Sequence, residues 1–277
     1  MAKTILSLFI ASFLFFNGNA QTVMDIDSNV YPTANIGTQT WMAENLRTTR
    51  FNNGKAIPTV AGATNNDTSS VYQWIYSDDI SNETEYGRLY SWYAATNICK
   101  VCPQGWHVPN DSDWVALSTF LGGDSVAGGK MKEVGLNSWY ITDTTVSNSS
   151  GFSARGGGGR GNPMGYRNID TSGVFWSTSS FGAGVFPRGN TFRLSATNSV
   201  ISRGVAVGNY GASIRCIKDL PISLIEPLLN ELKIYPNPAN KYLNISSTKK
   251  IKKIVLRDIN SKTFSIKKFV NRIDVSR

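Results

Sequence analysis

Few side chains in this chain could do covalent or metal chemistry, and their spacing narrows what that chemistry would be. His107 is the single histidine among 277 residues, so any imidazole base has to be this residue. It stands between Trp106 and Val108, just before a helix-capping asparagine, and no G-x-S-x-G nucleophile elbow accompanies it, so a Ser-His-Asp triad lacks its nucleophile motif. Cys99 and Cys102 have the C-x-x-C spacing of redox centres, yet no thioredoxin-like βαβ pattern surrounds them. With one histidine and three cysteines, a soft-metal centre would consume nearly every such ligand, so neither a metal nor a cofactor is expected. Asp25-Ile26-Asp27-Ser28-Asn29 begins like a calcium loop, but Val30 stands where glycine is needed and Ile36 where glutamate is, which favours a β-turn. Gly156, Gly158 and Gly161 satisfy G-x-G-x-x-G, but Asn162-Pro163 follow in place of a helix, so the run reads as a flexible loop. No catalytic constellation emerges.

The chemistry that does emerge is recognition. Residues 155–215 combine glycine-rich stretches with Tyr166, Trp176, Phe181, Phe186, Arg188, Arg203 and Tyr210. Aromatic faces supply stacking area and arginines supply fixed donors, a combination suited to glycan or protein ligands. Trp176 is equally suited to a core position.

These residues have to be positioned by short elements. Strand-like runs occur at Val30-Tyr31, Ile36 to Trp41 and Val71 to Tyr76, with Asn, Gly, Asp and Ser clusters between them. The spacing of Leu89, Tyr90, Tyr93 and Ala94 predicts a helix over 86–97. A second helix has Asn110 as N-cap and Asp113 as the capping-box acid; Trp114, Leu117 and Leu121 form its apolar face, and Gly122-Gly123 stops it. Gly-rich loops are expected next, then strands near Val174 to Ser177, Thr191 to Ser195, Val200 to Val207 and Ala212 to Ile217.

Composition sets the compartment and the class. Residues 1–20 combine Lys3, an apolar run from Ile5 to Phe16 and a small-residue Gly18-Asn19-Ala20 end, the pattern of a secretory signal peptide cleaved before Gln21. No other run approaches the roughly 18 apolar residues of a membrane span, so the mature chain is expected to have none. The net charge of +9 suggests nucleic acid, but residues 229–277 carry 12 of the 28 Lys and Arg with 3 of the 19 Asp and Glu. The rest is neutral, and no nucleic-acid partner is expected. With 41% hydrophobic and 17% charged residues, disorder and coiled coil are excluded.

Six blocks in order, "IGTQTWMAENLRT" (36–48), "YGRLYSWYAA" (86–95), "CPQGWHVPNDSDW" (102–114), "AGGKMKEVG" (127–135), "NSSGFSA" (148–154) and "SIRCIKD" (213–219), resemble the Fibrobacter succinogenes major paralogous domain. More remotely, "GWHVPNDSDW" is similar to a signature of the formylglycine-generating family and to the second-helix region of C-type lectins. The resemblance implies an α+β, C-type-lectin-like domain with two helices and small antiparallel sheets. It also implies a long-range disulfide, Cys102 to Cys216 as the first choice and Cys99 to Cys216 as the second, in the oxidising compartment that the signal peptide implies.

The tail "LKIYPNPANKYLNIS" (232–246), followed by "IKKIVLRDINSKTFS" (251–265), resembles the C-terminal sorting domain of the type IX secretion system, a small β-sandwich. Alternation over Ile251 to Ile259 independently predicts a half-buried strand. Family tails continue past an "IDVS" element into a further strand, so the resemblance implies a truncated tail. The expected organisation is a signal peptide (1–20), the lectin-like domain (21–220), a linker (221–231) and the sorting domain (232–277). The expected function is adhesin-like binding at the outer surface of a Gram-negative bacterium, with the type IX machinery as a partner. The alternatives are an enzyme related to the formylglycine-generating family and a structural matrix protein.

Overall fold

The computed structural model describes residues 21–61, 71–135, 139–140, 143–161, 164–182 and 188–220, with the backbone of five further strands between 232 and 274. The signal segment 1–20, the linker 221–231 and Phe186 lie outside the described residues. The chain divides into two compact units, Met1–Lys218 and Asp219–Arg277.

In the first unit a five-stranded sheet takes β1 (Thr22–Met24), β2 (Val30–Ile36), β3 (Gln39–Met42), β13 (Ile217–Lys218) and β6 (Trp106–His107) in that order. An eight-stranded sheet runs β11 (Asn198–Val207), β10 (Arg188–Ser195), β9 (Ser172–Phe181), β12 (Ala212–Ser213), β5 (Leu89–Tyr90) and β4 (Gln73–Trp74). The hairpin of β7 (Gly157–Gly161) and β8 (Gly165–Ile169) joins it alongside β9. Among the described residues there are four helices, α1 (Ser81–Tyr86), α2 (Trp92–Ala95), α3 (Asp111–Phe120) and α4 (Asp124–Met131). The architecture is sheet-rich α+β.

Helix α3 forms where its residues require it. Asn110 Oδ1 accepts the amides of Ser112 (2.8 Å) and Asp113 (3.2 Å), while Asp113 Oδ2 accepts the Asn110 amide (2.9 Å), so the capping box is complete. Trp114, Leu117 and Leu121 are buried, and Trp114 stacks on Phe192 with centroids 5.0 Å apart.

The helix expected over 86–97 is instead broken into three pieces. Tyr86 ends α1, Gly87 turns the chain at φ 70°, Leu89–Tyr90 enter the large sheet, and only Trp92–Ala95 is helical. A Cβ at Gly87 would stand 2.9 Å from the Leu46 carbonyl, so the turn needs glycine for space as well as for φ. Leu89, Tyr90 and Ala94 are buried as their pattern required, but a two-residue strand between short helices mimics helical spacing. Helix α4 stands where Gly-rich loops were expected. Its glycines let it lie against β11: a Cβ on Gly128 would stand 2.7 Å from the Ser199 carbonyl. The glycine run 156–161 is likewise a buried strand, β7, rather than a flexible loop, because strand partners on both sides satisfy its amides.

The 212–218 segment ties the two sheets together. Its β12 end pairs with β5 and β9, its β13 end pairs with β3 and β6, and Ile214, Arg215 and Cys216 between them are buried. Cys216 is disulfide-bonded to Cys102. One core cluster surrounds this bond with Tyr31, Tyr90, Trp106 and Trp176; a second gathers Trp41, Trp114, Phe152, Phe175 and Phe192.

The Asp25 segment is the turn expected between β1 and β2. Asp25 carboxylate oxygens accept the amides of Asp27 (2.9 Å) and Asn29 (3.0 Å), the Asn29 side chain (2.9 Å) and the Tyr31 hydroxyl (2.5 Å). Asp27 fastens this turn to the 48–50 loop. Burial alone would raise its pKa, but bonds from the Thr49 amide, Arg50 and the hydroxyls of Thr49 and Thr48 prevail and lower it from 3.8 to about 2. A carboxyl depressed in the folded state contributes stability that is full above its ordinary value and is lost as pH falls through the folded one. Thermal unfolding should therefore show a stability decline between about pH 4 and pH 2 that Asp27→Asn flattens; an unchanged acid limb in this variant would contradict the assignment.

The second unit holds a three-stranded antiparallel sheet of β14 (Leu232–Tyr235), β15 (Tyr242–Ser247) and β18 (Arg272–Asp274), and a pair of β16 (Ile254–Arg257) with β17 (Thr263–Ile266). Strand β16 falls within the alternating run 251–259.

Candidate functional site

The site is built at an irregularity between β9 and β10. Gly189 pairs with Ser180 but Thr191 pairs with Trp176, so three residues of β9, Ser177 to Ser179, oppose Asn190 alone. Such a bulge re-aims side chains and releases backbone groups for other partners. Here the partner is the chain entering α3. The Thr178 amide donates to the Pro109 carbonyl (2.9 Å), and the Asp111 amide donates to Ser179 Oγ (3.1 Å). Asp111 then receives Ser177 Oγ at 2.6 Å on one carboxylate oxygen and Asn190 Nδ2 at 2.7 Å on the other. Asn190 Oδ1 is buried and accepts no hydrogen bond among the described residues.

Pairing with β11 completes the face. Arg188, Asn190 and Phe192 stand opposite Val207, Val205 and Arg203, and Phe181 stands opposite Arg188 on β9. Alternate strand residues share a face, so these side chains converge on one side of the sheet. Phe181, Asn190, Phe192, Arg203 and Val205, with Asp111, line a groove of about 330 Å³, and Arg188 stands on the same face just beyond this lining, two residues before Asn190. Phe181 is 59% exposed at its edge. The Arg203 guanidinium lies 5.8 Å from the Phe192 ring centroid and donates to Asp124 Oδ2 at 3.0 Å.

Of the seven residues expected to bind ligand, Phe181 and Arg203 line the groove together, and Arg188 stands opposite Phe181 just beyond it. Trp176 does not: it is fully buried in the first core, where its indole donates to the Tyr90 carbonyl at 2.6 Å, and its large apolar ring explains the placement. Tyr210 packs edge-on against Trp176 at 6.2 Å. Tyr166 sits on β8 against Tyr76 (5.3 Å), its hydroxyl donating to Asp78 at 2.6 Å; burial and Asp78 hold that hydroxyl well above the usual tyrosine range. Asp111 and Asn190 escaped the sequence reading. An acid in a first helical turn is ordinary, and the one usable signal was an asparagine, a strand-depleted residue, in the middle of a strand.

The residues with catalytic potential are placed otherwise. His107 Nε2 lies 3.4 Å from Asp113 Oδ2 at the capping box. Cys102 and Cys216 are buried and joined, and Cys99 is the free thiol. Among the described residues no group of three or more His, Cys, Asp or Glu could hold a metal ion.

The chain matches the Fibrobacter succinogenes major domain over residues 34–218. It belongs to this family. The six blocks quoted above fall within or at the edge of the match, and the groove of this Fibrobacter succinogenes major domain is built entirely inside it. Residues 233–277 match the secretion system C-terminal sorting domain, which marks the protein for type IX export to the cell surface or the extracellular space. Neither match indicates an enzymatic family. No curated protein and no solved structure matches the chain. No described helix is long and apolar enough to cross a membrane.

Proposed function

We propose that the exported chain is an adhesin-like recognition protein that binds glycan or protein ligands at the face formed by Phe181, Arg188 and Arg203. In this reading the family domain is a C-type-lectin-like scaffold spanning 21–220, preceded by a cleaved signal peptide (1–20) and followed by a linker (221–231) and the sorting domain (232–277). The observation that carries the proposal is a large aromatic side chain, exposed at the edge of a groove whose opposite side is an arginine, on a protein directed out of the cell. Solvent-exposed aromatics cost solubility, and with arginine they dominate binding surfaces. A bond from the segment after α2 to the residue just before the last strand of the domain, which Cys102 and Cys216 make, supports the lectin-like plan.

Glycan and protein arrays probed with exported full-length protein test the reading. Phe181→Ala and Arg203→Ala are each expected to weaken the array ligand about tenfold or more while circular dichroism stays unchanged. A ligand that both variants bind as tightly as the native chain would place recognition elsewhere, and substrate turnover would replace it with catalysis.

A further inference from the structure

The groove presents an unusual pairing of polar groups. At its floor, Asp111 receives only neutral donors, Ser177 Oγ and Asn190 Nδ2, and among the described residues it forms no ion pair. A carboxylate can accept about four hydrogens, so part of its capacity is unused. Beside it Asn190 Oδ1 is an acceptor without a donor among the described residues. The floor therefore asks for a ligand that brings hydrogen-bond donors. At the rim the charge is reversed: Arg203 lines the groove, and Arg188 stands just beyond the lining, opposite Phe181 on the same face. Arg188 is exposed and has no ion-pair or hydrogen-bond partner among the described residues, and Arg203 commits one nitrogen to Asp124 out of its five donor N–H groups. A cationic donor, such as a lysine side chain, would satisfy the floor and be repelled by the rim.

From this pairing we infer that the groove binds an anionic saccharide, with ring hydroxyls read by Asp111 and Asn190 and an acid group, uronic carboxylate or sulfate ester, held by Arg188 and Arg203. The inference rests on the recognition reading above and narrows its ligand. A hydroxylated ring supplies several donors at once, which an acyclic acid does not. Its C–H face finds an apolar counterpart in the exposed Phe181 ring and the neighbouring Val205. The planar guanidinium fork matches a carboxylate or sulfate at the rim.

Isothermal titration of exported full-length protein tests this with oligogalacturonates, alginate oligosaccharides and sulfated galactan oligosaccharides, each beside its carboxyl-reduced or desulfated counterpart. At least one charged oligosaccharide is expected to bind about tenfold or more tighter than its neutral partner, and which arm does so identifies the acid group. Arg188→Ala should remove most of that difference, whereas Phe181→Ala and Asn190→Ala should weaken charged and neutral forms alike. Thermal unfolding of each variant separates lost contact from lost fold. Equal binding of charged and neutral partners, or an Arg188→Ala variant that keeps the difference, overturns the inference. If no saccharide binds while Phe181→Ala abolishes capture of an array protein, the inference fails and the recognition reading survives; if Phe181→Ala and Arg203→Ala change no binding of any kind, that reading fails as well.

Discussion

Arg215→Ala is expected to cost the main unit about 3–5 kcal/mol, enough to leave many domains largely unfolded at growth temperature. Arg215 is completely buried between the two sheets. Its guanidinium donates to Asn45 Oδ1 at 3.1 and 2.7 Å, to the carbonyls of Met42 (3.2 Å) and Ser153 (3.3 Å), and to the Phe152 carbonyl. The Phe152 ring lies 4.4 Å away and that of Phe175 5.8 Å. Among the described residues no carboxylate bonds it. Burial, with the Arg155 charge adding to it, lowers its pKa to about 9, so at neutral pH it remains a cation solvated by carbonyl dipoles and aromatic faces. Truncation would strand those acceptors and open a cavity at the junction of the sheets, and stranded buried acceptors are expensive. Arg215→Met should recover the packing part of the loss and Arg215→Lys part of the polar one. Urea unfolding of all three variants measures this, and a loss below about 1 kcal/mol for alanine would show that the acceptors find other donors.

Loss of the Cys102–Cys216 bond should cost about as much. The bond joins residues 114 apart in sequence with Cα atoms 5.9 Å from each other. Closing a loop of that size lowers the entropy of the unfolded chain by an amount worth about 4–5 kcal/mol. Cys102→Ser or Cys216→Ser should lower the urea midpoint accordingly, while Cys99→Ala should leave it unchanged, because Cys99 is unbridged. Both half-cystines are buried, so reduction should require unfolding first. Peptide mapping without reduction should find Cys102 joined to Cys216; a Cys99–Cys102 bond in exported protein would refute the pairing. The two effects are not independent, since Arg215 and Cys216 are adjacent and act on the same junction.

Where local chemistry decides an element, the sequence was readable. The capping box of Asn110 and Asp113 and the turn at Asp25 involve residues at most a few positions apart and formed as expected, and a strand, β16, lies within the alternating run 251–259. Where a long-range partner decides, it was not. Leu89 and Tyr90 repeat at helical spacing, yet β4 and β12 pull them into the sheet, and Gly87 breaks the helix. The glycines of α4 and β7 weaken local preference for helix or strand, and close packing, against β11 for α4 and within the large sheet for β7, overrides that preference.

By itself the sequence determined that this is an exported, mixed α and β protein of the Fibrobacter succinogenes major domain family with a sorting tail. It also determined that late aromatics and arginines are its chemically distinctive residues, and its family resemblance favoured Cys102 over Cys99 as the partner of Cys216. Only the tertiary structure decided that Cys102 is the partner and that Trp176 belongs to the core. The groove, too, exists only in the fold. Asp111 and Asn190 are 79 residues apart, and they meet because a bulge in β9 turns its hydroxyls and amides toward the entrance of α3. That meeting depends on strand register and on backbone groups left unpaired by the bulge, quantities set by pairing between distant segments and encoded in neither segment alone.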